Sequence, residues 1–297
     1  MRPISQNSVI QIDVAHGACH LSCSNCTRHV GHHRRPGFMP LDMIRKAIAS
    51  LDGFEGQIGI MGGEPALHPR FLEVLEVWRE LVPRRKRALW TAGFKWKQYR
   101  EAILETIDQD LIHYNDHTQE TGRHQPLLVA IEEVVDDPEL RKMLIDNCPF
   151  QLHWSAAITP LGCYFCEIAA SMGQLFGIQG YPIEPGWWRK TPAEFKDQVE
   201  TFCGKCSGAI PMPQFSDGRG GRDGRTIDVV SPKNLERLIA AGSPKAKRGN
   251  VQVWDKKITR EDIEKGLKDW NPRTFRDFEA HAPEDYKKDL TPEQTQS

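Results

Sequence analysis

Val9-Ile10-Gln11-Ile12-Asp13-Val14, followed within a few residues by Cys19-His20-Leu21-Ser22-Cys23-Ser24-Asn25-Cys26, is the stretch that decides the reading. The first part is a short apolar-rich run of strand length. The second places three thiols within eight positions. Three thiolates so close wrap one face of a compact metal cluster. On a helix their spacings would align them on one face, where core packing gives no reason for cysteine. A structural zinc takes four ligands, and the fourth would have to come from His16, His20 or His29. A [4Fe–4S] cluster on three cysteines instead leaves one iron open to a substrate or cofactor, as catalytic zinc sites keep an open position.

Outward from this segment, strand and helix patterns alternate. Leu41, Ile44, Ile48 and Leu51 recur at helical spacing, and Gln57-Ile58-Gly59-Ile60-Met61 reads as a second strand running into Gly62-Gly63-Glu64-Pro65. Pro69 opens a helix with Phe71, Leu75, Trp78 and Val82 on its apolar face. Ala88-Leu89-Trp90-Thr91 is a third strand, ended by Gly93, and Tyr99, Ile103 and Ile107 mark the next helix. Leu111–Tyr114, Leu127–Ile131 and Gln151–Ile158 are further candidate strands. This order predicts an α/β fold with a parallel sheet, whose ligands gather at the carboxyl ends of the strands. The cysteine group and Gly62-Gly63-Glu64-Pro65 each follow directly on a strand, so both fall on that rim.

The second half changes character. Cys163-x2-Cys166 and Cys203-x2-Cys206 form two knuckles, a strong metal signature whose bland reading is structural zinc and whose alternative is an auxiliary iron–sulfur cluster. Cys148 stands apart and reads as a buried apolar residue, with a fifth-ligand role as the alternative. Ile168, Met172, Leu175 and Phe176 give a helix after the first knuckle; Thr191-Pro192-Ala193-Glu194 reads as a capping box opening another, which delivers the chain to Cys203. Ser231-Pro232 and Thr259 open two later helices, the last carrying Ile263, Leu267 and Trp270. A Gly/Pro/Arg/Asp-rich loop spans 208–224, and 283–297 is a polar tail.

Across all 297 residues the formal net charge is -1, which gives no case for nucleic-acid binding. The first residues lack the apolar stretch of a signal peptide, and no run approaches the ~18 apolar residues of a membrane span. A soluble cytoplasmic protein is therefore expected, and in that compartment close-set cysteines, here seven of the eight, bind metal rather than pair as disulfides.

The Cys-x3-Cys-x2-Cys triad after the first strand resembles the radical S-adenosylmethionine (SAM) superfamily. Gly62-Gly63-Glu64-Pro65 after the second strand is similar to its SAM-binding GGE motif, in matching order and separation. The resemblance covers about residues 8–160. It implies a partial (β/α)6 TIM-like barrel over 1–160. It implies that Cys19, Cys23 and Cys26 hold three irons and that SAM chelates the fourth. The Gly62–Pro65 segment then receives the methionyl amino group, with glycines letting backbone carbonyls approach and Glu64 fixing the turn or adding charge. Thr91-Ala92-Gly93 stands where the family has Thr-Asn-Gly, and Asn25 where many members stack an aromatic on the adenine. Asn115, ending the fourth strand, is the candidate ribose contact. Residues 161–250 resemble a SPASM or twitch domain in position and size, though not in cysteine spacing. They imply a second [4Fe–4S] cluster on Cys163, Cys166, Cys203 and Cys206, with zinc as the alternative; 251–297 form a C-terminal helix and the tail.

By this resemblance a flavodoxin- or ferredoxin-like donor reduces the first cluster and SAM yields a 5′-deoxyadenosyl radical. That radical takes hydrogen from an unidentified substrate, a peptide or carbohydrate by analogy; this is oxidoreductase chemistry. A non-catalytic zinc or electron-transfer module is the alternative, and it has no need of Gly62-Gly63-Glu64-Pro65. The run Arg28-His29-Val30-Gly31-His32-His33-Arg34-Arg35 reads as a solvated loop, or as a surface for an anionic partner that Arg84, Arg85, Lys86, Arg87, Lys95 and Lys97 extend. His113–His117 are candidate cavity residues, His153 and Trp154 candidate strand residues, and Trp187-Trp188-Arg189 a candidate wall of the substrate site.

Overall fold

Apolar residues in the first strand alternate with Gln11 and Asp13, so one face is wholly aliphatic and the other mixed. The computed structural model describes residues 1–115, 124–212 and 227–268. In it β1 (Val9–Ala15) is buried along its whole length, flanked on both sides by parallel partners. The chain then runs α1 (Leu41–Ala49), β2 (Gln57–Gly62), α2 (Phe71–Leu81), β3 (Arg87–Thr91), α3 (Trp96–Thr106) and β4 (Ile112–Tyr114). Ile10, Ile12, Val14, Ile58, Ile60, Leu89 and Ile112 turn to one face and pack against Ile44, Ile48, Val74, Leu75, Trp78 and Ile103 of the helices. This is the two-against-3.6 periodicity match that a βα layer needs. Trp78 also donates its indole N–H to the Ile58 carbonyl at 3.1 Å.

Beyond β4 the alternation breaks. Three helices, α4 (Ile131–Val134), α5 (Pro138–Asp146) and α6 (Pro149–His153), precede β5 (Ala156–Thr159) and β6 (Gly162–Tyr164). The six-stranded sheet has order β4-β3-β2-β1-β5-β6, parallel except for β6, which runs antiparallel to β5. The fold is mixed α/β with a mainly parallel sheet. Strand order reverses at β1, so the carboxyl end of β1 is the crevice where such sheets take ligands.

Two strand expectations fail. Leu127–Ile131 forms only an isolated bridge from Leu128 to Val230, and Ile131 begins a helix. An apolar run of that length does not distinguish a strand from a buried connector. Of Gln151–Ile158, only the last residues are strand; Pro149 nucleates a short helix ahead of them, so His153 and Trp154 are not on a strand.

Next come α7 (Glu167–Phe176) and α8 (Lys196–Phe202), the latter one turn later than the capping box at Thr191, whose N–H and hydroxyl both donate to Glu194. A second small parallel pair, β7 (Asp228–Val230) and β8 (Val251–Val253), is flanked by α9 (Pro232–Ala240), α10 (Pro244–Lys247) and α11 (Arg260–Leu267). Val129, Ile131, Leu140 and Leu144 share a core with Ile210, Val229 and Ile263, so the segment before β5 packs onto the C-terminal elements. Asp116, His117, Trp270, most of the 208–224 loop and the polar tail lie outside the described residues. No described helix is long and apolar enough to cross a membrane.

Trp78 is 0% exposed and fills the layer between α2 and the sheet. Its replacement by alanine is expected to cost about 3–5 kcal/mol of unfolding free energy in urea titration, for the cavity and the lost indole bond together.

Candidate functional site

The chain leaves β1 at Ala15 and returns to the sheet edge only where Met39 N–H bonds the Val14 carbonyl, so the loop between is clamped at its base. Gly17 starts it at φ +64°, with the His33 ring 2.5 Å from where a Cβ would stand; only glycine admits that approach. Cys19, Cys23 and Cys26 lie on this loop, each partly buried. They line one cavity together with Met61, Gly62, Gly63, Trp90, Thr91, Ala92 and Asn115. The carboxyl ends of β1 to β4 thus converge on the triad, bringing together most of the predicted residues. Pro65 and Glu64 stand behind the cavity rather than on its lining.

Glu64 shows why. Its backbone N–H bonds the Ala18 carbonyl, and its wholly buried carboxylate accepts from Ala66 N–H (3.1 Å), the Thr91 hydroxyl (2.8 Å) and Ala92 N–H (2.8 Å). It fixes the turn, the first of the two roles expected of it. At Gly63 a Cβ would fall 2.3 Å from the Ala18 carbonyl oxygen, so the strand end can press against the cysteine loop only without a side chain. Burial pushes the Glu64 carboxyl up to about 7 against these three donors.

Asn25 lies elsewhere. It adopts φ +52° and is buried against β7, its side-chain oxygen accepting from Val229 N–H at 2.9 Å and its own N–H donating to Asp228. It anchors the loop to the C-terminal sheet and lies outside the cavity lining. Asp228 also meets His32 Nε2 at 2.6 Å and Lys245 Nζ at 2.8 Å; Lys245 reaches on to the Cys23 carbonyl at 3.3 Å. Burial alone would push the Asp228 carboxyl up, but the His32 and Lys245 contacts hold it below the ordinary value.

The basic run is therefore not solvated. Arg28, His29, His32 and His33 are all buried, and only Arg34 and Arg35 reach water. Arg28 pairs with Glu167 at 2.8 Å and bonds Gln11, while His29 Nδ1 meets the Ser171 hydroxyl. Glu167 and Ser171 come from a distant segment, which local charge patterning does not reveal. The second basic stretch divides. Arg84, Lys86 and Arg87 bond carbonyls around the amino end of β3, away from the triad. Lys95 and Lys97 are exposed past its carboxyl end, with Lys95 over Phe94, which packs on His20. Trp187 and Trp188 pack against Ser50 and Phe54, at the opposite end of the sheet from the triad, and wall no site there.

The second cysteine group is assembled differently from its sequence spacing. Cys148, Cys166, Cys203 and Cys206 line one small apolar cavity with Phe150, Phe165, Met172 and Phe202. Cys163 is absent from it: its thiol points to the Pro182 carbonyl, at 3.7 Å. The cause is β6, where the extended chain around Cys163 turns its side chain to the helix-covered face, while Cys166 caps α7 on the other. Cys148, read as a bystander, takes the fourth place. Burial pushes all eight thiols up from their ordinary range, those of Cys19 and Cys206 to about 12. They are held as neutral thiols unless a metal takes the proton's place. All eight cysteines are free of disulfides. Among the described residues, no three His, Cys, Asp or Glu side chains converge on a point fit for one metal ion. A cubane makes a different demand, since its thiolates are spread over separate irons.

No family model matches the chain. Over 97 residues it is 34% identical to a GTP 3′,8-cyclase of Actinobacillus succinogenes, a stretch covering 30% of this chain and 29% of that enzyme. The chain thus matches under a third of that relative's length. Two crystal structures of BtrN are similar at 18% and 16% identity. The one in complex with AdoMet and 2-DOIA has a TM-score of 0.43, covering 67% of this chain and 88% of BtrN. The one in an open conformation has a TM-score of 0.38, covering 71% and 92%.

The Glu64 carboxyl, at 4.5 in an open chain, is raised to about 7 in the fold. Between those values the native protein holds a proton that the unfolded chain has released, so stability falls as pH rises through the interval. Urea titrations of the metal-free protein are expected to lose about 3 kcal/mol across it. The pH dependence should shrink by about that amount in Glu64→Gln.

Proposed function

We propose that the chain is a radical SAM enzyme. The observation that carries this reading is the single cavity at the carboxyl ends of β1 to β4, shared by the cysteine triad and the Gly62–Gly63 and Thr91–Ala92 turns. The donor set fits: three thiols on one loop suit three irons of a cubane, and the glycine turn opposite them offers backbone with no side chain in the way. The local match to a cyclase agrees with an enzyme.

Cys19, Cys23 and Cys26 would hold the cluster and leave its fourth iron to the amino and carboxylate groups of SAM. Loaded in this way, the pair supplies a 5′-deoxyadenosyl radical that takes hydrogen from a substrate. The chain's own contribution is placement and exclusion. Gly62 and Gly63 present main-chain groups to the methionyl end, and Glu64 holds that turn against Thr91 and Ala92 so that it cannot relax toward the ligand. Asn115, on the cavity wall, is the ribose contact. Leu21, Val30, Met61 and Trp90 make the remaining wall apolar, which keeps water from a reactive intermediate. The partial (β/α)6 barrel belongs to the same reading.

A second [4Fe–4S] cluster is proposed on Cys148, Cys166, Cys203 and Cys206. Zinc would draw four sulfurs to about 2.3 Å from one point. These four line the wall of one cavity, and zinc stays the alternative occupant. Full thiolate ligation suits electron relay rather than substrate binding. Lys95 and Lys97, beside His20 near the first triad, are the proposed landing for an acidic flavodoxin- or ferredoxin-like donor in the cytoplasm.

Anaerobically reconstituted protein should be brown and, with dithionite and SAM, release 5′-deoxyadenosine; Cys23→Ala should release none. Cys148→Ala should lose about half the iron, as one cubane of two, whereas Cys163→Ala should keep it. Colourless protein holding only zinc would overturn the reading in favour of a binding module.

A further inference from the structure

The cysteine loop supplies main-chain donors to two of its three sulfurs. Leu21 N–H points to Cys19 Sγ at 3.4 Å, and the N–H groups of Val30 and Arg28 turn to the Cys26 sulfur. At Cys23, burial raises the thiol and the neighbouring Cys26 and Cys19 add to the rise; the foremost pull in the other direction is the charge of Lys245. That residue lies 222 positions further along the chain. It is fixed along its whole length. Its backbone N–H bonds the Gly31 carbonyl at 3.1 Å, and its own carbonyl accepts from Asn250 N–H at 3.0 Å. Its stem passes Gly31, where a Cβ would stand 3.3 Å from Lys245 Cδ. Its ammonium donates to the Cys23 carbonyl at 3.3 Å and to Asp228 at 2.8 Å, in a residue 1% exposed.

Asp228 also takes His32 and the Asn25 N–H, so its carboxylate is shared and does not simply cancel the lysine. The two charges bear unequally on the loop: Lys245 outweighs Asp228 at Cys23, and Asp228 outweighs Lys245 at Cys26. A buried ion pair is a poor device for stability, since well-packed apolar side chains in its place commonly do as well or better. It is an effective source of electric field, because little water or salt screens it. Iron–sulfur centres respond to such a field, their potentials being set by net charge, hydrogen bonds to sulfur and exposure. Three thiolates already make the centre anionic, and reduction adds one electron and no proton. A fixed cation beside the loop favours that electron; a fixed anion opposes it.

Resting on the radical SAM reading, we infer that Lys245 and Asp228 set the reduction potential of the first cluster as an opposed pair, Lys245 raising it and Asp228 lowering it. Both act through the cysteine loop and are positioning residues. Both also lie outside the segment 8–160 that carries the triad and the glycine turn, so the readiness of that segment to accept an electron is governed by the C-terminal elements packed on it.

A redox titration followed by electron paramagnetic resonance on the anaerobically reconstituted protein tests it, with dithionite supplying the electron. The first cluster is the signal that Cys23→Ala removes. At a fixed poise Lys245→Gln should leave about tenfold fewer reduced clusters, which is about 59 mV for a one-electron couple. Asp228→Asn should shift the balance in the opposite direction, and Lys245→Arg, which keeps the charge, should stay near the wild type. A brace with a structural role only would move both charge-removing variants alike or neither. An unmoved potential in Lys245→Gln, or shifts of one sign in both variants, therefore overturns the inference. Should Lys245→Gln fail to hold iron, Asp228→Asn decides alone: its potential rises, or the inference falls. SAM cleavage by the wild type is assayed on the same preparation. Cleavage with unmoved potentials sinks the opposed pair alone; opposed shifts in a protein that leaves SAM intact sink the enzyme reading alone.

Discussion

The site depends on one buried carboxylate. Glu64 ties three strand ends into a single knot: its main chain to the loop after β1, its own turn after β2, and its side-chain oxygens to the hydroxyl and amide that end β3. Parallel strands do not otherwise hold their carboxyl ends in mutual register, since the ladder stops where the loops begin. An ionisable group in that position is costly to bury, and three donors are what make it tolerable. The geometry of the cavity follows from this knot more than from any one strand.

A second constraint acts from the far end of the chain. Asp228 receives His32, Lys245 and the Asn25 amide, and through Lys245 it touches the carbonyl of Cys23. The cysteine loop is thus braced on one side by β-strand ends and on the other by the small β7–β8 sheet. Buried ion pairs of this kind contribute little net stability, because desolvation offsets the attraction, yet removing either partner strands a charge. Their effect here is to allow the loop one arrangement.

Much of this was legible in the residues themselves. The two periodicities placed β1 to β4 and α1 to α3 correctly, and the triad and glycine turn were set on one rim because each follows a strand. What escaped the sequence shares a physical character. The run from Leu127 to Ile131 is apolar because it is enclosed by C-terminal elements, not because it pairs in the main sheet. Cys148 was passed over for Cys163 because spacing along the chain carries no information about which face a thiol takes once β6 forms. The histidine run reads as wet because the side-chain partners of His29 and His32, from Ser171 to Ser243, lie more than 140 residues away. Long-range burial of polar groups leaves no local trace.

That remoteness bears on how the protein is made. Asn25 and Asp228 are 203 positions apart, and His32 and Asp228 are 196. Translation proceeds from the amino end, so the thiol-bearing loop emerges long before the segment that clasps it exists. During that interval its cysteines have no enclosure on that side, and the loop gains its fixed arrangement only once the segment around Asp228 has been made.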